Sequence, residues 1–436
     1  VSEENKSEMV SSAGRNNFVL FEPTNHIYRV AEVALEAGLN LVAVCTDEPF
    51  ALGRDEAVKK SFDRIIYVES WDDPEAIFQL LDNSIGIDSV AGTYAAVEIT
   101  LMTEARVRVG AGLPANSVEA LSRSIDKAKM RAVLREHALT DLGSIPVSEV
   151  LAKAKWPYAG TAFVKPARGG GSTGVIRCGS LDHLADVLVQ SEKSIQEARP
   201  LIRNHAQADE LLLEEAAQGT VFSFETLTSN GVHHGLGITT QFKLVRNDVA
   251  GVGALFPYAT EFEDRVRDKI FAALTAVGIS HGAVHTEFAL SNDGKVEIIE
   301  INPRFAGADI LDLLSFSLKQ NVAESLFHLA IGGELKLPRQ DLKSTALLRY
   351  IMPPEGVSHF ESIEYPEQGL EQAKTWKTPG YSFSETPEMK DYIFGFIITA
   401  PDPASAYSRM DTIMDAIRVN GLPVTNDVNN DILPVD

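Results

Sequence analysis

The chain has 436 residues, with 39 Lys and Arg against 61 Asp and Glu, a formal charge of −22. Such a polyanion repels phosphate backbones and anionic lipid, which excludes general nucleic-acid binding and membrane-surface attachment as first readings. Apolar residues make up 44% and charged residues 23%. That balance is globular, and the length accommodates two or three domains of roughly 150 residues each. Only two cysteines occur, Cys45 and Cys178, each in an apolar strand-like run. They read as reduced core thiols, with neither a disulfide framework nor a CxxC motif. No apolar run approaches the ~18 residues that span a bilayer. Residues 1–17, VSEENKSEMVSSAGRNN, read as a polar tail without an apolar signal core. A soluble, cytoplasmic protein is the expectation.

After the tail the pattern alternates between strand and helix. NFVLFEP reads as a buried strand, Tyr28 to Ala37 as a helix ended by Gly38, and LNLVAVC as a second strand. DRIIYVES follows as a third strand, Asp73 to Leu81 as a helix, and IDSVAGT as a fourth strand. This order predicts a parallel α/β sheet covered on both faces, over residues 18–114. The first strand runs into Pro23-Thr24-Asn25 with no GxGxxG, which argues against a dinucleotide site there. Helix signals fill Pro114 to Leu139. From about Thr161 short strands with Asn-Gly and Asp-Gly turns mix with helices near Asp182–Glu197 and Glu263–Val277. That stretch is α+β, and we divide it into residues 115–215 and 216–343. Residues 344–436, with LLRYIMPP, DYIFGFIITA and a helix over about Ala404–Val419, read as a small β-rich lobe.

The most informative stretch is HTEFALSNDGKVEIIEINPR, residues 285–304. A two-residue type I′ turn at Asp293-Gly294 places Glu287 opposite Glu300 and His285 opposite Asn302. Facing carboxylates lie only about 5 Å apart and repel. A hard divalent cation removes that repulsion, and Mg²⁺ suits it because it binds one or two carboxylates plus substrate phosphates. The bland alternative is a pair of solvated glutamates on a surface hairpin. Ile299 and Ile301 on the opposite, apolar face argue against it.

A second motif is AFVKPARGGGSTGV, residues 162–175. Its Gly169-x-Gly171-x-x-Gly174 is followed by a strand, so it is a hairpin loop and not the start of a Rossmann helix. Such a loop offers backbone N–H groups that nest anions, with Lys165 on the incoming strand. In SIDKAKMRAVLREH, residues 124–137, Asp126 caps a helix and Lys127 stands at its anion-favouring start. LLLEEAAQGTVFSFE, residues 211–225, is a strand, a short connection and a second strand. His281 and His285 have HxxxH spacing, but on a strand that spacing does not make a zinc site.

In this order the four pieces resemble the ATP-grasp superfamily of carboxylate–amine ligases, over about Asn17 to Val419. VKPARGGGSTGV and GAVHTEFALSNDGKVEIIEINPRFAGADI are the most specific stretches. Within the superfamily the chain looks most like the L-amino-acid ligases of the bacilysin and dapdiamide synthetase type. The resemblance implies an ATP-grasp fold with an N-terminal parallel α/β domain and a small β-rich C-terminal lobe. It implies ATP held by Lys127 and Lys165, by the loop residues Gly169, Gly170, Gly171, Ser172 and Thr173, and by a hinge at Glu215, Ala216 and Ala217. Glu287, Glu300 and Asn302 would hold one or two Mg²⁺ or Mn²⁺ ions, and Arg304 would stabilise the transferring phosphoryl group. Relatives carry a ribose-binding glutamate two residues after the hinge glycine; here that position is Val221, and Glu225 is the nearest carboxylate. Gln241 and Lys243 lie near where relatives place a further contact.

The implied reaction is ADP-forming: a substrate carboxylate becomes an acyl phosphate, which the amino group of an amino acid then attacks. No general base for the amine is identifiable from the residues; His285 is the candidate. A biotin-carboxylase-like or purine-pathway carboxylating enzyme is the alternative. The partners implied are small-molecule carboxylates and amino acids, with a homodimer as the expected assembly.

Overall fold

Strands β1 (Asn17–Phe21), β2 (Asn40–Thr46), β3 (Arg64–Val68) and β4 (Val90–Ala95) pair in parallel in the order β3-β2-β1-β4. The computed structural model describes residues 14–24, 26–46, 60–198, 203, 206, 210–244, 247–339, 344–384 and 391–424. The expected tail, through residue 13, lies outside the described residues. Along β1 the side chains alternate between two cores, as period two requires. Phe18 and Leu20 join one core, and Val19 and Phe21 the other. Helix α1 (Ile27–Glu36) covers the first face; α2 (Pro74–Ile85) and α3 (Leu101–Gly110) cover the second. The fourth strand begins at Val90, later than expected, because Ile87–Ser89 form a 3₁₀ turn. Since β2 and β4 flank β1, the chain switches sides at the carboxyl ends of β1 and β4. Such switch points open a crevice that binds ligands.

The helical stretch after Pro114 is two helices, α4 (Val118–Ile125) and α5 (Lys127–Glu136). Asp126 separates them and caps α5, accepting from Ala128 N at 3.0 Å and Lys129 N at 3.1 Å. A second sheet, β5 (Ser144–Pro146), β6 (Ala162–Pro166), β7 (Ile176–Cys178) and β8 (Leu211–Glu215), runs β5-β8-β6-β7 and is antiparallel. Helices α6 (Val147–Lys153) and α7 (Leu181–Glu197) pack on it through Val147, Val150, Leu184 and Val187. Cys45 and Cys178 are buried free thiols, as expected.

Strands β9 (Thr220–Ser229) and β10 (Val232–Thr240) start a third sheet, and β11 (Phe242–Leu244) and β12 (Asn247–Phe256) a fourth. Helix α8 (Glu263–Val277) leads to β13 (Gly282–Leu290) and β14 (Val296–Asn302), which complete the third sheet in the order β10-β9-β13-β14. The core beneath it unites Met130 and Leu134 of α5 with Ile270 and Leu274 of α8. Helices α9 (Ile310–Leu318) and α10 (Val322–Ala330) bridge back to the parallel sheet, through Phe327 against Phe18. Strands β15 (Thr345–Ile351), β16 (Gln372–Thr375) and β17 (Phe394–Ala400) finish the fourth sheet, in the order β11-β12-β15-β17-β16. The expected division between residues 343 and 344 thus runs through one continuous sheet, since β12 pairs with β15. The last helix, α11 (Pro403–Ala416), ends before Val419 because Arg418 and Val419 pair with Glu364 and Ile363. Among the described residues no helix is long and apolar enough to cross a membrane.

The β13–β14 hairpin reaches the expected pairing by a different route. Ser291 N donates to Lys295 O at 3.0 Å and Gly294, at φ +79°, closes a three-residue loop. The I′ turn is therefore corrected to the longer loop with a left-handed glycine. Near the turn the pairs run Leu290 with Val296 and Phe288 with Ile298, one residue out of the expected register. A bulge at Ile299 restores it, so that Glu287 faces Glu300 and His285 faces Asn302. Bulges re-aim side chains beside active sites. Ile299, expected on the opposite face, lines the cleft instead.

Candidate active site

A cleft of about 660 Å³ opens between the second and third sheets. Lys127 reaches it from the start of α5 and Lys165 from β6; the loop Gly169–Thr173 forms one wall and Glu215, Ala216 and Ala217 another. His285, Glu287, Glu300, Asn302 and Arg304 line the floor, with Gln241 and Lys243 nearby. Every candidate residue from the sequence therefore meets in one cavity except Glu225. That carboxylate is fully buried in β9, behind the cleft wall, and its Oε1 lies 2.7 Å from His285 Nδ1. Glu225 is corrected from an ATP contact to the residue that orients His285. Val221 lines the cavity at the position where a ribose ligand was sought.

Lys127, Lys165 and Arg304 are each engaged by a carboxylate. Lys127 Nζ is 2.8 Å from Glu300 Oε1. Burial alone would lower the Lys127 pKa, but Glu300, with Glu98 and Glu214 adding to its effect, raises it. Lys165 pairs with Glu214, which also accepts from Arg131 Nε at 3.2 Å. Burial would raise the Glu214 pKa, yet Lys165 and Arg131 hold it below the ordinary carboxylate range. Arg304 Nε donates to Glu98 Oε1 at 2.8 Å, and Arg304 keeps Glu98 ionised against the opposing effect of burial.

His285 is also strongly perturbed. Burial lowers its pKa, but Glu225 and then Glu287, whose Oε1 is 3.4 Å from Nε2, raise it to about 10. Both ring nitrogens of His285 thus face carboxylates, Glu225 and Glu287.

Glu98, Glu214 and Arg131 were not anticipated. Arg131 lies one helical turn beyond Lys127, a spacing that puts both on one face of α5. Glu214 was legible only as the end of an apolar strand. Glu98, in YAAVEI, carries no local motif.

Among the described residues no group of three His, Cys, Asp or Glu is arranged to hold a metal. Glu287 and Glu300 nevertheless face each other across the hairpin, and the buried Asn302 is the next residue on that face of β14. Two carboxylates and an amide form an all-oxygen set that fits a hard cation sharing phosphate oxygens and water. Meanwhile Gln241 donates to Glu287 at 3.3 Å, and Lys127 balances Glu300.

Residues 160–312 match the family model described as the ATP-grasp domain. The structure resembles the L-amino acid ligase from Bacillus licheniformis with a TM-score of 0.73 at 19% identity, covering 94% of this chain and 99% of that one. The chain has the ATP-grasp fold. Phosphoribosylglycinamide synthetase from Anaerococcus prevotii superposes with a TM-score of 0.69 at 14% identity, covering 93% of this chain and 99% of that one. The biotin carboxylase domain of the Hydrogenobacter thermophilus 2-oxoglutarate carboxylase, solved with MgADP and bicarbonate, gives 0.68 at 17%, over 94% and 91%. An uncharacterized protein of Sinorhizobium fredii is 24% identical over 340 residues, 75% of this chain and 68% of that protein. The matched ATP-grasp segment contains the glycine loop, the hinge and the whole β13–β14 hairpin.

Proposed function

We propose that the chain is an ATP-dependent, ADP-forming ligase that joins a carboxylate to the amino group of an amino acid. The observation that carries this reading is the convergence of Lys127, Lys165 and Arg304 with the facing pair Glu287 and Glu300 in one cleft. In such a cleft positioning and charge neutralisation do most of the catalysis. The likeness to an L-amino acid ligase over nearly the full length of both chains supports the same reading.

Lys127 and Lys165 bind the phosphate chain, and the loop Gly169–Thr173 covers it and excludes water. The hinge Glu215–Ala217 offers backbone groups to the base. Glu287, Glu300 and Asn302 would hold Mg²⁺, which when bound neutralises phosphate charge. A carboxylate oxygen attacks the γ-phosphorus as the bond to ADP breaks, with Arg304 taking up the spreading charge. The amine nitrogen then attacks the acyl carbon; phosphate leaves and the amine loses a proton. His285, oriented by Glu225, stands beside Glu287. A homodimer is the assembly we assign.

The test is ADP and phosphate release from MgATP with amino acids supplied singly and in pairs, and with bicarbonate separately. Pair-dependent release with a new amide mass supports the ligase. Release dependent on bicarbonate alone refutes it and favours a carboxylating enzyme, the alternative that the likeness to biotin carboxylase domains keeps in view.

A further inference from the structure

Strand β9 joins the two working ends of the cleft. The hinge leads into it through Gly219, at φ +111°, where a Cβ would overlap the Leu290 carbonyl at the end of β13. Along β9 the side chains alternate. Phe222 and Phe224 enter the core beneath the third sheet, while Val221 and Ser223 line the cavity. Pairing with β13 fixes the rows on that face: Val221 across from Ala289, Ser223 from Glu287, and Glu225 from His285. Ser223 thus shares the row of the facing pair Glu287 and Glu300, and Val221 lies two residues, about 7 Å, closer to the hinge. A nucleotide with its base at the hinge and its phosphates at Lys127, Lys165 and the carboxylate row passes Val221 with its ribose.

Proteins that read a ribose 2′-hydroxyl do so with a carboxylate that accepts from it. Among the described residues five carboxylates line the cleft, and each is committed elsewhere. Glu98 holds Arg304, Glu214 holds Lys165 and Arg131, and Glu215 accepts from Gly143 N at 3.2 Å. Glu287 and Glu300 form the pair assigned to the cation. Glu225, on the Val221 face of β9, is fully buried and bonded to His285. Between the hinge and the carboxylate row the cavity face of the third sheet therefore offers the apolar Val221 and Ile299.

We propose that this cleft leaves the 2′-hydroxyl of its nucleotide unread and takes 2′-deoxyadenosine triphosphate (dATP) about as well as ATP. The proposal rests on the nucleotide half of the ligase reading and widens its class of phosphoryl donor to ribo- and deoxyribonucleoside triphosphates. A buried acceptor bonded to the hydroxyl is stranded by the deoxy analogue, which gives strong discrimination; an apolar neighbour discriminates far less.

The experiment titrates the full chain calorimetrically with ATP and with dATP, each with Mg²⁺, so that neither acid nor amine is needed. Release of ADP or dADP with the amino-acid pair that turns over best then gives kcat/KM for each. The expected preference for ATP is less than tenfold in both measurements. A preference of tenfold or more in either overturns the proposal and leaves the ligase standing. Val221→Glu, which sets a carboxylate in the ribose row, should raise the ATP-to-dATP ratio of Kd at least fivefold with the melting temperature showing a folded chain. A smaller rise in the folded variant shows that the ribose lies elsewhere and overturns the proposal as well. Where Val221→Glu does not fold, Val221→Gln supplies an uncharged acceptor and is held to a threefold rise on the same terms. Matched affinities without ADP release from any amino-acid pair support this assignment while refuting the ligase. A chain that binds neither nucleotide overturns both.

Discussion

The Arg131 guanidinium donates to the Ile298 carbonyl at 2.7 Å, one residue before the bulge that brings Glu300 opposite Glu287. The same side chain meets Glu214 at 3.0 Å, and Glu214 holds Lys165. One buried arginine therefore ties Lys165, through Glu214, to the strand that presents Glu300.

Removing it should be costly. Arg131→Met leaves the Ile298 carbonyl and one side of Glu214 without a donor, for a loss of about 3 kcal/mol. Urea denaturation measures it. Combining it with Glu214→Gln should cost less than the two separate losses added together, since the residues share one network. Strict additivity would show that the two are not coupled.

Glu300→Gln tests the cation pair. Turnover should fall at least about a hundredfold, as expected when metal-held charge stabilisation is lost, while the melting temperature shows a folded chain. ADP release at saturating MgATP is the readout, and near-wild-type turnover would remove Glu300 from the metal site.

Arg304→Ala separates binding from chemistry. The variant should bind MgATP through Lys127, Lys165 and the glycine loop, yet form no amide product. Calorimetric titration with nucleotide, beside product mass analysis, distinguishes this from simple loss of the site. An undiminished amide yield would refute the role given to Arg304.

Acid should weaken the fold before it affects most carboxylates. His281, beneath the parallel sheet, has its pKa lowered to about 4, by burial first and then by Arg108, whose Nη2 lies 3.0 Å from its ring. Its folded pKa lies below the unfolded 6.5, so the unfolded chain binds more protons between those values. Stability is therefore full above about pH 6.5 and is lost as pH falls toward 4, by about 3 kcal/mol at most. His26, lowered to about 3 by burial and Arg304, acts in the same direction. Denaturation midpoints across pH 4.5 to 7 should show a gentler slope for His281→Gln than for the wild-type chain. Identical slopes would show that His281 does not titrate as described.

Local pattern carried much of this protein. Short continuous apolar runs alternating with helical segments disclosed the parallel strands, and Asp126 announced the start of α5, because both signals depend only on near neighbours. The facing of Glu287 and Glu300 was legible too, although by compensation: the turn is one residue longer and the bulge at Ile299 cancels the shift. No short-range rule places that bulge, since Arg131 reaches it from a helix about 170 residues earlier in the chain. Glu225 shows the opposite failure. The family resemblance made it the nearest candidate for a ribose contact, while the pairing of β9 with β13 sets it across from His285 and buries it. Glu98 could not be read at all, because its partner Arg304 lies 206 residues away and nothing in YAAVEI marks it. The sequence by itself determined which strands, caps, loops and chemical groups exist. Tertiary structure decided which charges meet, because ion pairs between distant elements depend on how the sheets pack and on which groups lose their water together.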